Sequence, residues 1–262
     1  MNSLAEVFSR AKSEKRAALI GYMPAGFPTK DRSKEIIAAM VDGGVDIVEV
    51  GFPYSDPVMD GPIIQQAAEI ALLNRTNSQD VFDVVSSVSV PALVMSYWNP
   101  IERFGVDAFA KKLSESGGVG VITPDLTVEE SVPWIAATNT EDIARVYVVA
   151  PSSSDERLAK VAAASSGFVY AASLMGVTGT RNSVAHSAAD LVSRVRQVTN
   201  LPVAVGLGVS TREQAAQVAE YADGVIVGSA FIKLVLEASD EKDALERVRV
   251  LAAELAAGVR RG

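Results

Sequence analysis

The stretch VDIVEVGFPYSDPVMDGPIIQ, from Val45 to Gln65, contains the pattern that decides the fold. A short apolar run that includes Glu49 is followed by a stiff loop rich in proline and aspartate, and Pro62 then opens a helical segment. An apolar run without clear alternation is typical of a parallel strand that is covered on both faces. The stretch therefore predicts one strand, loop and helix unit of an α/β protein.

The same unit recurs along the whole chain. The predicted strands are Ala18–Met23, Asp46–Val50, Ala92–Ser96, Val119–Ile122, Val146–Val149, Gly167–Ala171, Val203–Val205 and Gly224–Val227. The helical patterns between them include Lys30–Asp42, Val106–Ser116, Glu129–Ala137, Asp155–Ala164, Ala188–Val198 and Thr211–Ala219. Eight such units in 262 residues predict an α/β fold, a single (β/α)8 TIM barrel over residues 1–262, with the doubly wound open sheet as the main alternative.

Three segments add to this pattern. An N-terminal helix is expected from about Ser3 to Ser13, a final helix from about Lys242 to Ala257, and a short extra helix before the last barrel helix. The connection from Ser173 to Ala188 is rich in Gly, Thr, Ser and Asn and has no periodicity. A connection of that length is expected to be a lid or binding loop.

The composition excludes several classes of function. The chain has 32 Asp and Glu against 24 Lys and Arg, a formal net charge of -8, and no block of basic residues, which argues against nucleic acid and anionic membranes as partners. No apolar run approaches the roughly 18 residues of a membrane helix, and the charged N-terminus lacks a signal-peptide core. We therefore expect a soluble, cytoplasmic protein.

The residues available for catalysis are also limited. The chain has no cysteine and only His186 as histidine, so disulfides, thiolate nucleophiles and multi-histidine metal sites are excluded. No lysine lies at the end of a predicted strand, which disfavours a Schiff-base aldolase. We expect catalysis by carboxylates, hydroxyls and backbone dipoles, without a metal or a cofactor in this chain.

Two glycine-rich turns near the C-terminus predict a phosphate site. VGLGVS contains Gly206 and Gly208, and VGSA contains Gly228 and Ser229, each directly after a predicted strand. In a barrel these turns follow the last two strands, where backbone N–H groups and a helix N-terminus can hold a phosphate. Gly179 in the long connection is a third candidate. The alternative is that these glycines only make tight turns.

Glu49 is the candidate acid or base. Alternation along the strand places Ile47 and Glu49 on one face and Val48 and Val50 on the other. If the valines pack against helices, Glu49 points into the barrel at its C-terminal mouth, where desolvation raises a carboxyl pKa and suits it to proton transfer near neutral pH. A glutamate paired with an arginine at the barrel rim is the alternative.

Two aspartates follow Glu49 on the loop that leaves its strand. Asp60 lies just before the helix that Pro62 opens, so it can face the same pocket as Glu49. Two carboxylates in different surroundings can hold different protonation states and divide the chemistry. Asp56, in SDP, is expected to be a turn residue.

Motifs along essentially the whole chain resemble those of the α subunits of tryptophan synthase. They are YMPAGFP, IVEVGFPYSDPVMDGPIIQ, SYWNP, VITPDLTVEES, YAASLMGVTG, VGLGVS and VGSA. The resemblance implies cofactor-independent retro-aldol cleavage of indole-3-glycerol phosphate to indole and glyceraldehyde 3-phosphate. It implies that Glu49 is the general acid and base and that Asp60 holds the indole N–H. The implied substrate-binding positions are Tyr22, Tyr170, Thr178, Gly179, Gly208, Gly228 and Ser229.

The resemblance also implies a partner. A β subunit that carries pyridoxal phosphate would receive indole through a tunnel in an αββα heterotetramer, for tryptophan biosynthesis. The implied interface positions are Pro53, Asp56, Pro57 and Asn99. Two other functions stay open at this point: a sugar-phosphate isomerase or epimerase on the same barrel, and a non-enzymatic subunit that only activates its partner.

Overall fold

The computed structural model describes residues 3–172, 181–206 and 208–261, with the side chains of 181–186 left out. The strands are β1 (Ala18–Pro24), β2 (Ile47–Gly51), β3 (Ala92–Met95), β4 (Gly120–Ile122), β5 (Ala144–Val146), β6 (Val148–Val149), β7 (Val169–Ala172), β8 (Val203–Gly206) and β9 (Gly224–Val227). Thr178 and Gly179, two of the expected binding residues, lie outside the described residues.

Helices connect most of these strands. They are α1 (Leu4–Ser13), α2 (Lys30–Asp42), α3 (Pro62–Leu73), α4 (Ser78–Ser87), α5 (Trp98–Phe104), α6 (Val106–Glu115), α7 (Val132–Thr140), α8 (Asp155–Ala164), α9 (Arg181–Arg196), α10 (Arg212–Ala219), α11 (Ser229–Leu236) and α12 (Glu241–Gly258), with a 3-10 turn at Val128–Glu130. Among these residues, none of the helices has both the length and the apolar character needed to cross a membrane.

The strands form a closed parallel barrel. Their order in the sheet is β5, β4, β3, β2, β1, β9, β8, β7, β6, and every neighbouring pair is parallel. The two end strands, β5 and β6, are consecutive in the chain and separated only by Tyr147. They are therefore two halves of one barrel strand, so the sheet closes as an eight-stranded TIM barrel. The predicted fold is confirmed, including the N-terminal helix and the short helix α11.

Alternation along β2 separates the barrel interior from the helical layer. Val48 and Val50 belong to the large core between the strands and the helices, whereas Ile47 belongs to the smaller core inside the barrel. Glu49 lies on the same face as Ile47 because successive strand residues point to opposite sides. The predicted inward orientation of Glu49 therefore agrees with the packing of its neighbours.

Helix α1 closes the N-terminal end of the barrel. Its Leu4, Val7 and Phe8 pack with the interior core, and the Phe8 ring lies 5.7 Å from that of Phe168. A capping box between Ser3 and the third residue of the helix fixes where α1 begins. This apolar plug leaves the opposite end of the interior for polar groups.

Two predicted segments were wrong in their bounds. Helix α9 begins at Arg181, so the second half of the connection Ser173–Ala188 is helical and contains His186. Polar residues weaken this first part locally, but a helix propagates readily from a packed turn, here Ala188 and Leu191. The helix predicted over Glu129–Ala137 is instead a 3-10 turn followed by α7, because Pro133 is tolerated only in a first helical turn.

Candidate active site

Glu49 is an isolated carboxyl at the C-terminal end of the barrel. It pairs in register with Tyr22 of β1 and Leu93 of β3, and it is only 1% exposed. Its buried Oε1 has no hydrogen-bond partner among the described residues. Burial alone raises the pKa of Glu49 to about 8, with no cation acting on it. Within these residues, the arginine pair that was the alternative at this position is not found.

Two tyrosines stand beside Glu49, and two glycines make room for them. A Cβ atom at Gly51 would lie 2.4 Å from the Tyr22 hydroxyl, and one at Gly206 would lie 2.5 Å from the Tyr170 hydroxyl. Side chains at these glycines would therefore displace the tyrosines. Gly206 was predicted from the sequence to contribute to a phosphate site. Here the space taken by the Tyr170 hydroxyl explains why this position is a glycine.

Both tyrosines lie within reach of the charges of the two carboxylates. Burial raises the pKa of Tyr22 and that of Tyr170 first, and the charges of Glu49 and Asp60 raise both further. Charge interactions fall with distance, so each of the two tyrosines lies close to both carboxylates. The structure thus places Tyr22 and Tyr170 near both Glu49 and Asp60.

Asp60 is held by a residue that the sequence did not single out. The hydroxyl of Tyr97 donates a hydrogen bond to Oδ2 of Asp60 at 3.1 Å, and the same hydroxyl accepts one from the N–H of Met59 at 3.0 Å. Burial raises the pKa of Asp60, and the bond from Tyr97 lowers it in part. Tyr97 therefore fixes the end of the loop between β2 and α3 to the end of β3.

A signal for Tyr97 was present in the sequence. It lies in SYWNP, directly after the apolar run of β3, at the same end of the barrel as Glu49. The carboxyl ends of neighbouring parallel strands meet at one face, so polar side chains there are expected to converge. The contact between Tyr97 and Asp60 is seen only in the folded structure, where the loops that carry them meet.

The N-terminus of α11 lies at the same end of the barrel, against Tyr22. Gly228 is the N-cap of α11 and Ser229 is its first residue. The Gly228 carbonyl accepts from the N–H of Phe231, so the earlier N–H groups of the first turn have no partner within the helix. A Cβ atom at Gly228 would lie 3.1 Å from the Tyr22 ring. This positive helix end is suited to an anion.

Gly208 lies in the turn after β8, the strand beside β9, which leads into α11. It has a φ of +66°, a left-handed conformation that glycine adopts without strain. The tight-turn alternative therefore explains this glycine locally, and its backbone remains open to close approach by a ligand.

The model for the family described as "Tryptophan synthase alpha chain" matches residues 8–260. The chain belongs to that family.

Two tryptophan synthase alpha chains are similar to this chain over nearly its whole length. That of Thermobifida fusca is 59% identical over 266 residues, covering 99% of this chain and 98% of the relative. That of Streptomyces avermitilis is 57% identical over 263 residues, covering 99% and 95%. A solved structure of Mycobacterium tuberculosis tryptophan synthase superimposes with a TM-score of 0.92 at 50% identity, covering 100% of both chains.

The four interface residues that the tryptophan synthase resemblance implies differ in exposure. Asp56 and Asn99 are exposed, Pro57 is half-buried, and Pro53 is buried within the chain. Asn99 lies in the first turn of α5. The loop that follows Pro57 shows apolar side chains to solvent.

The exposed apolar residues of that loop are Val58 and Met59, at 78% and 42% exposure. At the start of the same loop a cavity of about 370 Å³ opens between the loop, the end of α3, the start of α4, and α5. Its lining includes Pro53, Tyr54 and Asn99. The loop therefore shows one end, at Asp60, to the pocket and its apolar middle to solvent.

Over the ranges that the structure describes, no group of three or more His, Cys, Asp or Glu side chains could hold a metal ion.

Proposed function

We propose that the chain is a carbon-carbon lyase that cleaves indole-3-glycerol phosphate by a retro-aldol reaction to indole and D-glyceraldehyde 3-phosphate. Membership of the tryptophan synthase alpha chain family supports this reaction. The observation that carries the proposal is Glu49, a buried carboxyl near Asp60 and two tyrosines, whose Oε1 has no hydrogen-bond partner among the described residues. The reaction uses no cofactor bound to this chain.

Glu49 is proposed as the general acid and base. With a pKa of about 8, most of its population carries a proton at neutral pH. That proton passes to C3 of the indole ring, and the ring becomes cationic. The carboxylate then takes the proton of the side-chain hydroxyl beside C3. As the new carbonyl forms, the C–C bond breaks and its electron pair returns to the ring, which leaves neutral indole.

Asp60 is proposed to stabilise the cationic intermediate. Its carboxylate accepts the hydrogen bond of the indole N–H, whose charge becomes more positive when C3 is protonated. A fixed negative group aimed at developing positive charge lowers the barrier without reorganisation. Tyr97 fixes the position of Asp60, and Tyr22 and Tyr170 form walls of the pocket for the flat indole ring.

The phosphate is proposed to bind at the N-terminus of α11. The backbone N–H groups around Gly228 and Ser229 face outward at the positive end of that helix. Gly208 approaches from the neighbouring turn, and Thr178 and Gly179 are proposed to complete the site from the connection after β7. The distance between Tyr22 and a Cβ at Gly228 supports this placement beside the ring-binding pocket.

The proposed partner is a tryptophan synthase β subunit with pyridoxal phosphate, in an αββα heterotetramer that passes indole from one subunit to the other in the cytoplasm. The exposed Val58 and Met59, with Asp56 and Asn99 nearby, support a contact surface on this loop. A loop that shows Asp60 to the pocket and apolar side chains to solvent can connect the active site to a partner.

Release of indole tests the reaction directly. The purified chain is incubated with indole-3-glycerol phosphate, and indole and glyceraldehyde 3-phosphate are measured by chromatography. We expect equimolar products from the wild type, and about 100-fold or more loss in Asp60→Asn, because a neutral amide does not compensate the cationic ring. If the chain released no indole but interconverted a sugar phosphate supplied in a separate assay, the isomerase alternative would be supported instead.

The partner surface is tested with Asp56→Asn. Asp56 is exposed and its Oδ2 accepts a hydrogen bond from Ser55 at 2.5 Å, so its substitution leaves the core untouched. We expect unchanged indole release by the isolated chain and weaker binding to the β subunit in calorimetric titration. Equal affinity of the variant and the wild type would remove Asp56 from the interface.

A further inference from the structure

Three aspartates of the chain are followed by glycine, and the three pairs differ in their hydrogen bonds and exposure. They are Asp42, Asp60 and Asp223. Asp–Gly is the sequence in which a backbone nitrogen most easily attacks the preceding side-chain carboxyl, because glycine has no side chain to shield it. The attack needs an available glycine N–H and freedom of the backbone around it.

The pairs at Asp42 and Asp223 are held in regular structure. Asp42 is the last residue of α2, and the N–H of Gly43 donates to the carbonyl of Ala39 at 3.1 Å. The carboxylate of Asp223 accepts from the N–H of Val203 at 2.9 Å and from Arg196 at 3.0 Å. The glycine that follows Asp223 is the first residue of β9 in the barrel sheet. Attack at either site requires local unfolding.

At Asp60 the carboxylate accepts a hydrogen bond from Tyr97, but the following glycine lies before α3, outside helix and sheet. Gly61 is exposed, and no atom lies within 4 Å of where its Cβ would be. The carbonyl of Asp60 accepts from the side chain of Gln65 at 2.8 Å, so it points toward α3. In a trans peptide the N–H points the opposite way, away from the helix, and it has no acceptor among the described residues.

We infer that Asp60 is a site of spontaneous isoaspartate formation in the folded protein. The Gly61 nitrogen forms a bond to Cγ of the protonated Asp60 carboxyl, the Cγ–OH bond breaks, and the hydroxyl leaves with the amide proton as water. The product is a cyclic succinimide. Water then adds to its former backbone carbonyl, the ring opens, and the chain continues through the side-chain carbon. The water lost is regained, and no oxidant or other reactant is needed.

Two features of its surroundings favour this reaction at Asp60. Burial raises the pKa of its carboxyl, which increases the protonated fraction that can lose a hydroxyl. The Tyr97 hydroxyl donates to Oδ2 and stabilises negative charge on the carboxyl oxygens during attack. The same burial that suits Asp60 to its proposed catalytic task therefore exposes it to this modification.

The expected consequence for activity rests on the proposed function. Isoaspartate adds one carbon to the main chain and moves the carboxylate, so the modified molecules should no longer hold the indole N–H. The modification itself does not depend on that function, because it is detected chemically and not by indole release.

The experiment ages the full-length chain at neutral pH, both folded and in urea. Isoaspartate is measured by enzymatic methylation of the new carboxylate and assigned to its residue by fragmentation mass spectrometry. We expect Asp60 to convert at least about tenfold faster than Asp42 and Asp223 in the folded chain, and the three to convert within about threefold of each other in urea. If folding slowed the conversion of Asp60 as much as that of Asp42 and Asp223, the inference would be overturned.

Gly61→Ala provides the matched variant. Gly61 has φ -72° and ψ 165°, which an alanine before proline adopts readily, and a Cβ meets no atom. The variant should fold like the wild type, with conversion of Asp60 reduced about tenfold, because the added methyl group shields the nitrogen. Unchanged conversion in this folded variant would show that the Gly61 nitrogen is not the attacking group.

Discussion

Asp46 directly precedes β2 and Glu49 is the third residue of that strand, and the barrel surrounds the two carboxyl groups differently. Asp46 is 9% exposed and accepts two hydrogen bonds from Arg16, at 2.6 and 2.9 Å, and a third from the N–H of Leu19. Glu49 is 1% exposed, and its buried oxygen has no partner in the part of the chain that the structure describes.

The difference indicates that Asp46 stabilises the fold, whereas Glu49 is suited to proton transfer. A buried carboxylate with a bidentate arginine and a backbone N–H is compensated, and it ties the start of β2 to β1. A buried carboxyl without partners is held in its neutral form and is ready to give up a proton when a substrate supplies a base or a cation. Two substitutions that each replace a carboxyl by an amide should therefore have opposite effects.

The largest expected effect is on catalysis. Glu49→Gln should reduce indole release about 100- to 10,000-fold, because an amide of the same shape cannot transfer the proton. The melting temperature should not fall, since the variant no longer buries an ionisable group. Activity assays and thermal melts on one preparation check both. Indole release within tenfold of the wild type would remove Glu49 from proton transfer.

Asp46→Asn should show the reverse. It leaves the buried Arg16 without its main partner, which should lower the free energy of unfolding by about 3–5 kcal/mol. Indole release per folded molecule should stay close to that of the wild type. Urea denaturation measures the loss, and Asp42→Asn is the matched control, because its ion pair with Arg249 is long and exposed. A similar loss in both variants would contradict the distinction.

The pH dependence of stability sharpens the comparison further. The pKa of Glu49 is about 8 in the folded chain, against an ordinary value of 4.5. As pH rises between these values, the unfolded chain releases the proton and the folded chain retains it, so the free energy of unfolding falls. Glu49→Gln lacks this loss. Its free energy of unfolding relative to that of the wild type should therefore increase by a few kcal/mol from about pH 5 to about pH 8. A constant difference across this range would mean that the burial does not raise the pKa.

The same contrast shows what a sequence can predict. The inward direction of Glu49 followed from alternation within five residues, a local property that the apolar cores confirm at Ile47, Val48 and Val50. The barrel followed from the repetition of such units. The surroundings of Asp46 could not be predicted, since its partner Arg16 is 30 positions away and meets it only after β1 and β2 align.

The bounds of helices were less predictable. Helix α7 begins at Val132, one residue before Pro133. The helical pattern over Glu129–Ala137 obscured this proline signal in the sequence. The early start of α9 depends on packing of Leu191 and Val195 against the barrel, which supports weaker turns before them. Tyr97 was predictable only in part. Its residue type and its position after β3 could be read from the sequence, whereas its contact with Asp60 could not.

Tyr97→Phe carries the smallest expected effect and tests how Asp60 is controlled. Without the hydroxyl, Asp60 loses a hydrogen bond that opposes the effect of burial, so its pKa should rise. The acid limb of the kcat/KM profile for indole release should move to higher pH, and the maximum should fall about tenfold.

Tyr54→Phe is its control, because the Tyr54 ring packs on Tyr97 at 5.2 Å and an equivalent ring is retained. An acid limb that stays in place in Tyr97→Phe would mean that Asp60 does not titrate in that limb. Glu49 would then be the one carboxyl of the pair whose protonation governs the rate, and Asp60 would act by its position alone.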